Sequence, residues 1–67
     1  MEKIIKVQGP MLRLGDVLIT RHAGSIRIES ITVLDDCYEI KGRDAHSDYP
    51  RSRYVDATSE FQIRRVA

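Results

Sequence analysis

The sequence predicts an all-β domain that closes into a small antiparallel barrel of five to six strands. Three observations carry that expectation. Ile and Val together supply 13 residues, against four Leu and four Ala, and stiff β-branched side chains suit a pleated surface better than a helix. Turn signals recur at strand-length intervals, at Gly9-Pro10, Gly15-Asp16, Ala23-Gly24-Ser25, Asp35-Asp36 and Gly42-Arg43-Asp44. Apolar residues alternate between these turns with the period of a strand, and in the longest stretch they change parity.

The first strand is expected over Lys3–Gln8, with Ile5 and Val7 on one face, and Gly9-Pro10 ends it because proline cannot donate to a ladder. Met11–Leu14 reads as a loop whose Leu12 and Leu14 plug the end of the core. Val17–His22 alternates, with Val17 and Ile19 on one face and Leu18 and Thr20 on the other. Ile26–Leu34 follows as the longest strand. Its Ile26 and Ile28 sit at even positions and its Ile31 and Val33 at odd ones, so a bulge or bend near Glu29-Ser30 is needed to bring both pairs into one interior. Asp35-Asp36 turns the chain into Cys37–Lys41, with Tyr38 and Ile40 inward. Gly42–Arg53 reads as one long polar loop, the kind of connection that is usually functional or mobile. Tyr54–Ala57 resumes the strand pattern. Thr58-Ser59-Glu60 is expected to form a short 3₁₀ turn capped by Thr58 or Ser59, and Phe61–Val66 is the last strand, with Phe61 and Ile63 on one face.

A chain of 67 residues makes one domain, spanning 1–67, and one this small needs help to be stable. Disulfides, metals and partner chains are the usual staples. The single cysteine, Cys37, cannot form an internal disulfide, which leaves efficient barrel closure or self-association as a homo-oligomer. No apolar run reaches membrane-spanning length, and the charged N-terminal segment is no signal peptide, so a cytoplasmic location without membrane contact is expected.

The order of elements resembles an SH3-like small β-barrel over roughly residues 12–67. The resemblance rests on the Leu14-Gly15-Asp16-Val17 opening, the Ile26–Leu34/Cys37–Lys41 hairpin and the Thr58–Val66 ending. It implies a bent central strand and a one-turn helix before the last strand. Barrels of this kind bind RNA, DNA or peptides, so the resemblance implies a binding role without choosing the ligand.

Charge excludes some classes. Eleven Lys and Arg face ten Asp and Glu, a net +1, unlike a domain that binds mainly through phosphates. The charge is uneven: +3 over residues 1–28, −4 over 29–48 and +2 over 49–67. Asp44-Ala45-His46-Ser47-Asp48 offers a short ligand-type string, but zinc asks for three or four ligands at suitable spacing, and no metal or other cofactor is expected. Cys37 lies beside Asp35 and Asp36, the opposite of the electropositive setting that activates a thiol. No phosphate-cradling loop or nucleophile elbow occurs, so the chain is expected to be non-enzymatic.

The residues that stand out for binding are Tyr49, Arg51, Arg53 and Tyr54. Two phenols and two guanidiniums within six residues suit either a protein hot spot or stacking on single-stranded nucleic acid. Arg64 and Arg65 form a second basic spot. With Phe61 and Ile63 inward, Arg65 shares their face and must reach a rim while Arg64 points out. Arg13, Arg21 and Arg27 would extend that outer stripe where strand order allows. The expected function is a macromolecular interaction module, of the sort found among phage and plasmid accessory proteins that bind or inhibit a host protein. A barrel binding single-stranded DNA or RNA is the first alternative. An oligomeric enzyme with its site at a symmetry interface is the second.

Overall fold

The computed structural model describes residues 2–20 and 24–66. It contains β1 (Glu2–Gln8), a 3₁₀ turn (Gly9–Met11), β2 (Val17–Ile19), β3 (Ser25–Val33), β4 (Cys37–Asp44), β5 (Pro50–Asp56) and β6 (Glu60–Val66). All six strands join one antiparallel sheet in the order β1-β6-β2-β3-β4-β5. The chain meanders from β2 to β5, and β6 then returns to lie between β1 and β2. The sheet is open, because its two edges, β1 and β5, do not pair with each other. None of the described residues forms a helix long and apolar enough to cross a membrane.

The open sheet is curled. Its Cα radius of gyration is 10.9 Å, matching the ~11 Å of a compact chain of this length. A Cβ placed on Gly9, just after β1, would sit 2.7 Å from the Tyr38 ring on β4. The start of the chain therefore wraps over the far half of the sheet. The inward side chains follow the strand register: Ile5 opposes Ile63, Ile63 opposes Leu18, and Leu18 opposes Ile26. Val7, Leu12, Ile28, Ile40 and Val55 complete the buried core, with Ile5, Ile31, Tyr38 and Phe61 packed against it. Leu12 plugs the core as expected, but Leu14 is 65% exposed. The turn around Gly15 (φ +91°) carries Leu14 away from the interior.

The parity change in β3 is a bulge. Register shifts between Ile28 and Ser30, so that Ile28 opposes Gly42, Ile31 opposes Ile40 and Val33 opposes Tyr38. Both apolar pairs thereby share one face, though Val33 lies beyond the edge of the core and is 71% exposed. Gly42 belongs to β4, not to a turn as the sequence suggested. A Cβ there would lie 1.9 Å from the Arg27 carbonyl oxygen, so only glycine lets β4 cross the bulge this closely.

Two further expectations are corrected. The polar stretch Gly42–Arg53 is no long loop, for it completes β4, turns over residues 45–49 and begins β5. The 3₁₀ turn lies at Gly9–Met11, where proline takes an early helical position, and not at Thr58–Glu60. There the Asp56 carboxylate accepts hydrogen bonds from the Thr58 N–H and hydroxyl, each at 2.8 Å, and closes a simple turn. β2 ends at Ile19, and Thr20, expected within it, lies past the strand with its N–H donating to the Gly24 carbonyl at 3.1 Å. Arg21 and His22, expected to continue it, lie outside the described residues, as does Ala23 of the expected turn.

Candidate functional site

The β4–β5 hairpin is organised by one buried aspartate. Asp44 is 6% exposed, and its Oδ1 accepts the backbone N–H groups of His46 (2.8 Å) and Ser47 (3.0 Å). Its Oδ2 accepts Arg51 Nε at 3.1 Å. Main-chain bonds complete the turn: Asp44 N–H to Tyr49 O at 2.8 Å, and Asp48 N–H to Asp44 O at 3.0 Å. Asp48 takes a left-handed φ of 63°, which a short polar side chain tolerates. The Ser47 and His46 amides, with Arg51 adding its charge, bring the Asp44 carboxyl down to about 2. The Asp-x-His-x-Asp string is thus a turn whose central acceptor is already occupied. Among the described residues no three metal-ligating side chains gather.

That turn launches β5, which carries the residues singled out in the sequence. Arg51, Arg53 and Val55 oppose Gly42, Ile40 and Tyr38, so they point to the curled, inner side. Ser52 and Tyr54 point to the other side. Tyr49 and Tyr54 are 71% and 64% exposed. Tyr54 faces Glu39 across the β4–β5 pair, and that carboxylate, by hydrogen bonding and charge, holds the phenol above its ordinary value. The two tyrosines and two arginines therefore share one strand and its turn, but not one surface.

The hydrogen-bond phase of this hairpin also follows from the structure. Leu34 N–H donates to Cys37 O, so Cys37, Glu39 and Lys41 direct their backbone groups to β3. Tyr38, Ile40 and Gly42 direct theirs to β5, consistent with the Asp44–Tyr49 bond. On β5 it is accordingly Arg51, Arg53 and Val55 that bond to β4. The N–H and C=O groups of Ser52 and Tyr54 point to the open edge. Pro50 shares that outward phase, so its missing N–H costs no ladder bond.

Beside this edge lies an open groove of about 550 Å³, where β5 passes β2 and β6 without pairing to either. Leu18, Val55 and Phe61 supply apolar lining, and Lys6, Arg53 and Glu60 supply charge. Neither Lys6 nor Arg53 makes an ion pair among the described residues.

The second basic spot divides in two. Arg65 shares the inner face, as expected, and grips Asp16 with two parallel bonds, Nε to Oδ1 at 2.9 Å and Nη2 to Oδ2 at 2.8 Å. Nη2 also donates to the Met11 carbonyl at 2.9 Å. Burial pushes the Asp16 carboxyl up, but the Arg65 guanidinium and the Arg13 N–H outweigh it and bring the group below its ordinary value. Arg65 thereby fastens β6 to the loop before β2. Arg64 lies on the outer face, where register places it in one row with Val17, Arg27 and Arg43. Asp48 approaches Arg27 (3.9 Å) and Arg43 (3.8 Å), and Glu29 approaches Arg43 (3.6 Å). Arg43 is absent from the stripe expected from sequence because Gly42-Arg43-Asp44 reads as a turn, whereas it belongs to β4 opposite Arg27.

No known protein family, curated protein or solved structure matches the chain.

Proposed function

We propose that the chain is a non-enzymatic protein-interaction module, a small SH3-like curled sheet whose β5 edge takes up an extended segment of another protein. The observation that carries this reading is the open β5 edge, with the Ser52 and Tyr54 backbone groups directed outward beside the groove. Strand addition draws affinity from such main-chain groups and specificity from pockets for alternate side chains. Tyr49 and Tyr54 flank the edge with exposed aromatic surface of the kind enriched in protein hot spots. A chain that occupies a partner's extended segment in this way would act as an accessory or inhibitory subunit.

Protein is favoured over nucleic acid for two reasons. The tyrosines and inward arginines of β5 do not form a common stacking platform, and two of the three arginines in the outer row, Arg27 and Arg43, are met by Asp48 and Glu29. The test is equilibrium binding of the full chain to a library of extended peptides, repeated with Ser52→Pro. Loss of binding with retention of fold supports the reading, because proline removes one outward donor. Binding untouched by Ser52→Pro counts against it. A parallel oligonucleotide titration at ~50 and ~200 mM salt should show no binding. Affinity that falls steeply between those concentrations would replace protein by nucleic acid.

A further inference from the structure

The partner's chemistry can be taken a step further, resting on the reading of β5 as a strand-accepting edge. Outward hydrogen bonding by Ser52 and Tyr54 places Arg51, Arg53 and Val55 opposite partner residues in non-hydrogen-bonded positions. Those are the pairs in which facing side chains come closest. Two of these three inward positions are cationic. Arg51 is partly satisfied by Asp44, whereas Arg53 has no acidic partner among the described residues. Lys6 adds a second cation without an ion pair among the described residues, and of the described groove lining only Glu60 carries a carboxylate. A second copy of β5 is a poor occupant, because an antiparallel pair centred on Arg53 opposes that guanidinium to itself.

We infer that β5 accepts an acidic, extended segment of a partner protein. The added strand runs antiparallel, like every other pair in the sheet, and the pattern it presents is apolar-x-acidic-x-acidic. Its apolar side chain faces Val55 and reaches the groove lining formed with Leu18 and Phe61. Its first carboxylate faces Arg53 and its second faces Arg51. Intervening positions lie on the outer side beside Tyr54, where β-branched residues suit a strand.

The experiment uses the full chain and a fluorescent peptide matched to the seven residues of β5, with valine and two glutamates in that pattern and threonine between. Its twin carries lysine for glutamate. A third peptide carries the glutamates but is N-methylated on the backbone nitrogens that face β5. The glutamate peptide should bind about tenfold more tightly than its lysine twin, the sum of two favourable cross-strand pairs and two avoided repulsions. Arg53→Glu should abolish or invert that preference, and N-methylation should remove binding. Equal binding of the charged twins, with N-methylation still blocking both, overturns the acidic specificity and leaves the edge reading intact. A preference that survives Arg53→Glu overturns the assignment as well. Failure of both charged peptides to bind, or binding that tolerates N-methylation, overturns the edge reading itself and this inference with it. Because the N-methylated peptide needs no altered protein, the result does not depend on how a variant folds.

Discussion

Two buried aspartates hold this molecule together in different ways. Asp16 is 3% exposed and Asp44 is 6% exposed, so both carboxylates must find donors inside the protein. Asp44 finds them locally, two and three residues on in its own turn and seven residues on at Arg51. Asp16 takes one backbone N–H from Arg13 but depends on Arg65, 49 residues away. The first carboxylate shapes a hairpin; the second joins the last strand to the loop after the first. Equal burial therefore carries unequal consequences. Loss of the local set should disturb a turn, whereas loss of the distant one should loosen the junction of β6 with β2 inside the sheet.

Asp44 reaches its turn only because β4 keeps its path over the bulge. Gly42→Ala attacks it directly by pressing a Cβ into the Arg27 carbonyl, 1.9 Å away. Neither partner is the flexible end of a side chain, so the backbone must move. A destabilisation of about 3 kcal/mol is expected, read as a lower denaturation midpoint. An unchanged midpoint would mean that β4 and the bulge do not meet as described.

Asp16→Asn comes next in size. It keeps the shape of the side chain but removes the charge that Arg65 grips, at a cost of about 2 kcal/mol for hydrogen bonds to an ionised group. Hydrogen exchange should quicken in both β6 and the 12–16 loop. Faster exchange confined to one of them would show that the pair does not couple the two.

How much of this could be read from sequence depends on how local each feature is. The bulge is legible because Ile26 and Ile28 against Ile31 and Val33 is a contradiction within a single strand. The Asp16–Arg65 pair is not, because nothing in the chain between them encodes their meeting. Only the placement of β6 beside β2 brings them together. Arg65's need for a rim on the inner face follows from strand period alone, but its partner does not. The first half of β5, Pro50–Arg53, is hidden in the sequence because its inward positions hold Arg51 and Arg53 where a strand pattern usually shows apolar residues, whereas the expected Tyr54–Ala57 strand overlaps the second half. An edge strand, with one side open, tolerates that substitution. Once Pro50–Asp56 is known to be a strand, period two already separates Arg51 and Arg53 from Tyr54, so the division of the binding residues between two faces was within reach. Gly42 was misread because glycine in a strand and glycine in a turn look alike until the close approach is seen.

Acid titration separates the two carboxylates without altering shape. Both titrate below the ordinary value of 3.8, so the folded state favours their ionised forms. Each contributes stability that is present above that value and fades as pH falls through its folded value. The melting temperature should therefore decline from about pH 4 downward, with the Asp44 share fading as pH approaches about 2. Asp16→Asn should flatten part of the decline, and the double substitution with Asp44→Asn should flatten it further. A decline that neither change alters would place the acid sensitivity in other carboxylates, with Asp56, held low by Thr58, the first to examine.

The smallest expected effect is that of Asp44→Asn alone at neutral pH. An amide keeps one oxygen, which can still accept the His46 and Ser47 N–H groups, so most of the turn survives. What is lost is the charge facing Arg51 Nε. The midpoint should fall less than for Asp16→Asn, and the change in hydrogen exchange should remain within residues 44–51. Arg51 would then lack its internal partner and become more available to an acidic strand added at β5. A modest gain in affinity for the glutamate peptide should accompany the small loss of stability. If instead Asp44→Asn destabilises the protein as much as Asp16→Asn does, the β4–β5 turn is as necessary to the sheet as the junction of β6 with β2, and the distinction between a local and a long-range carboxylate does not hold.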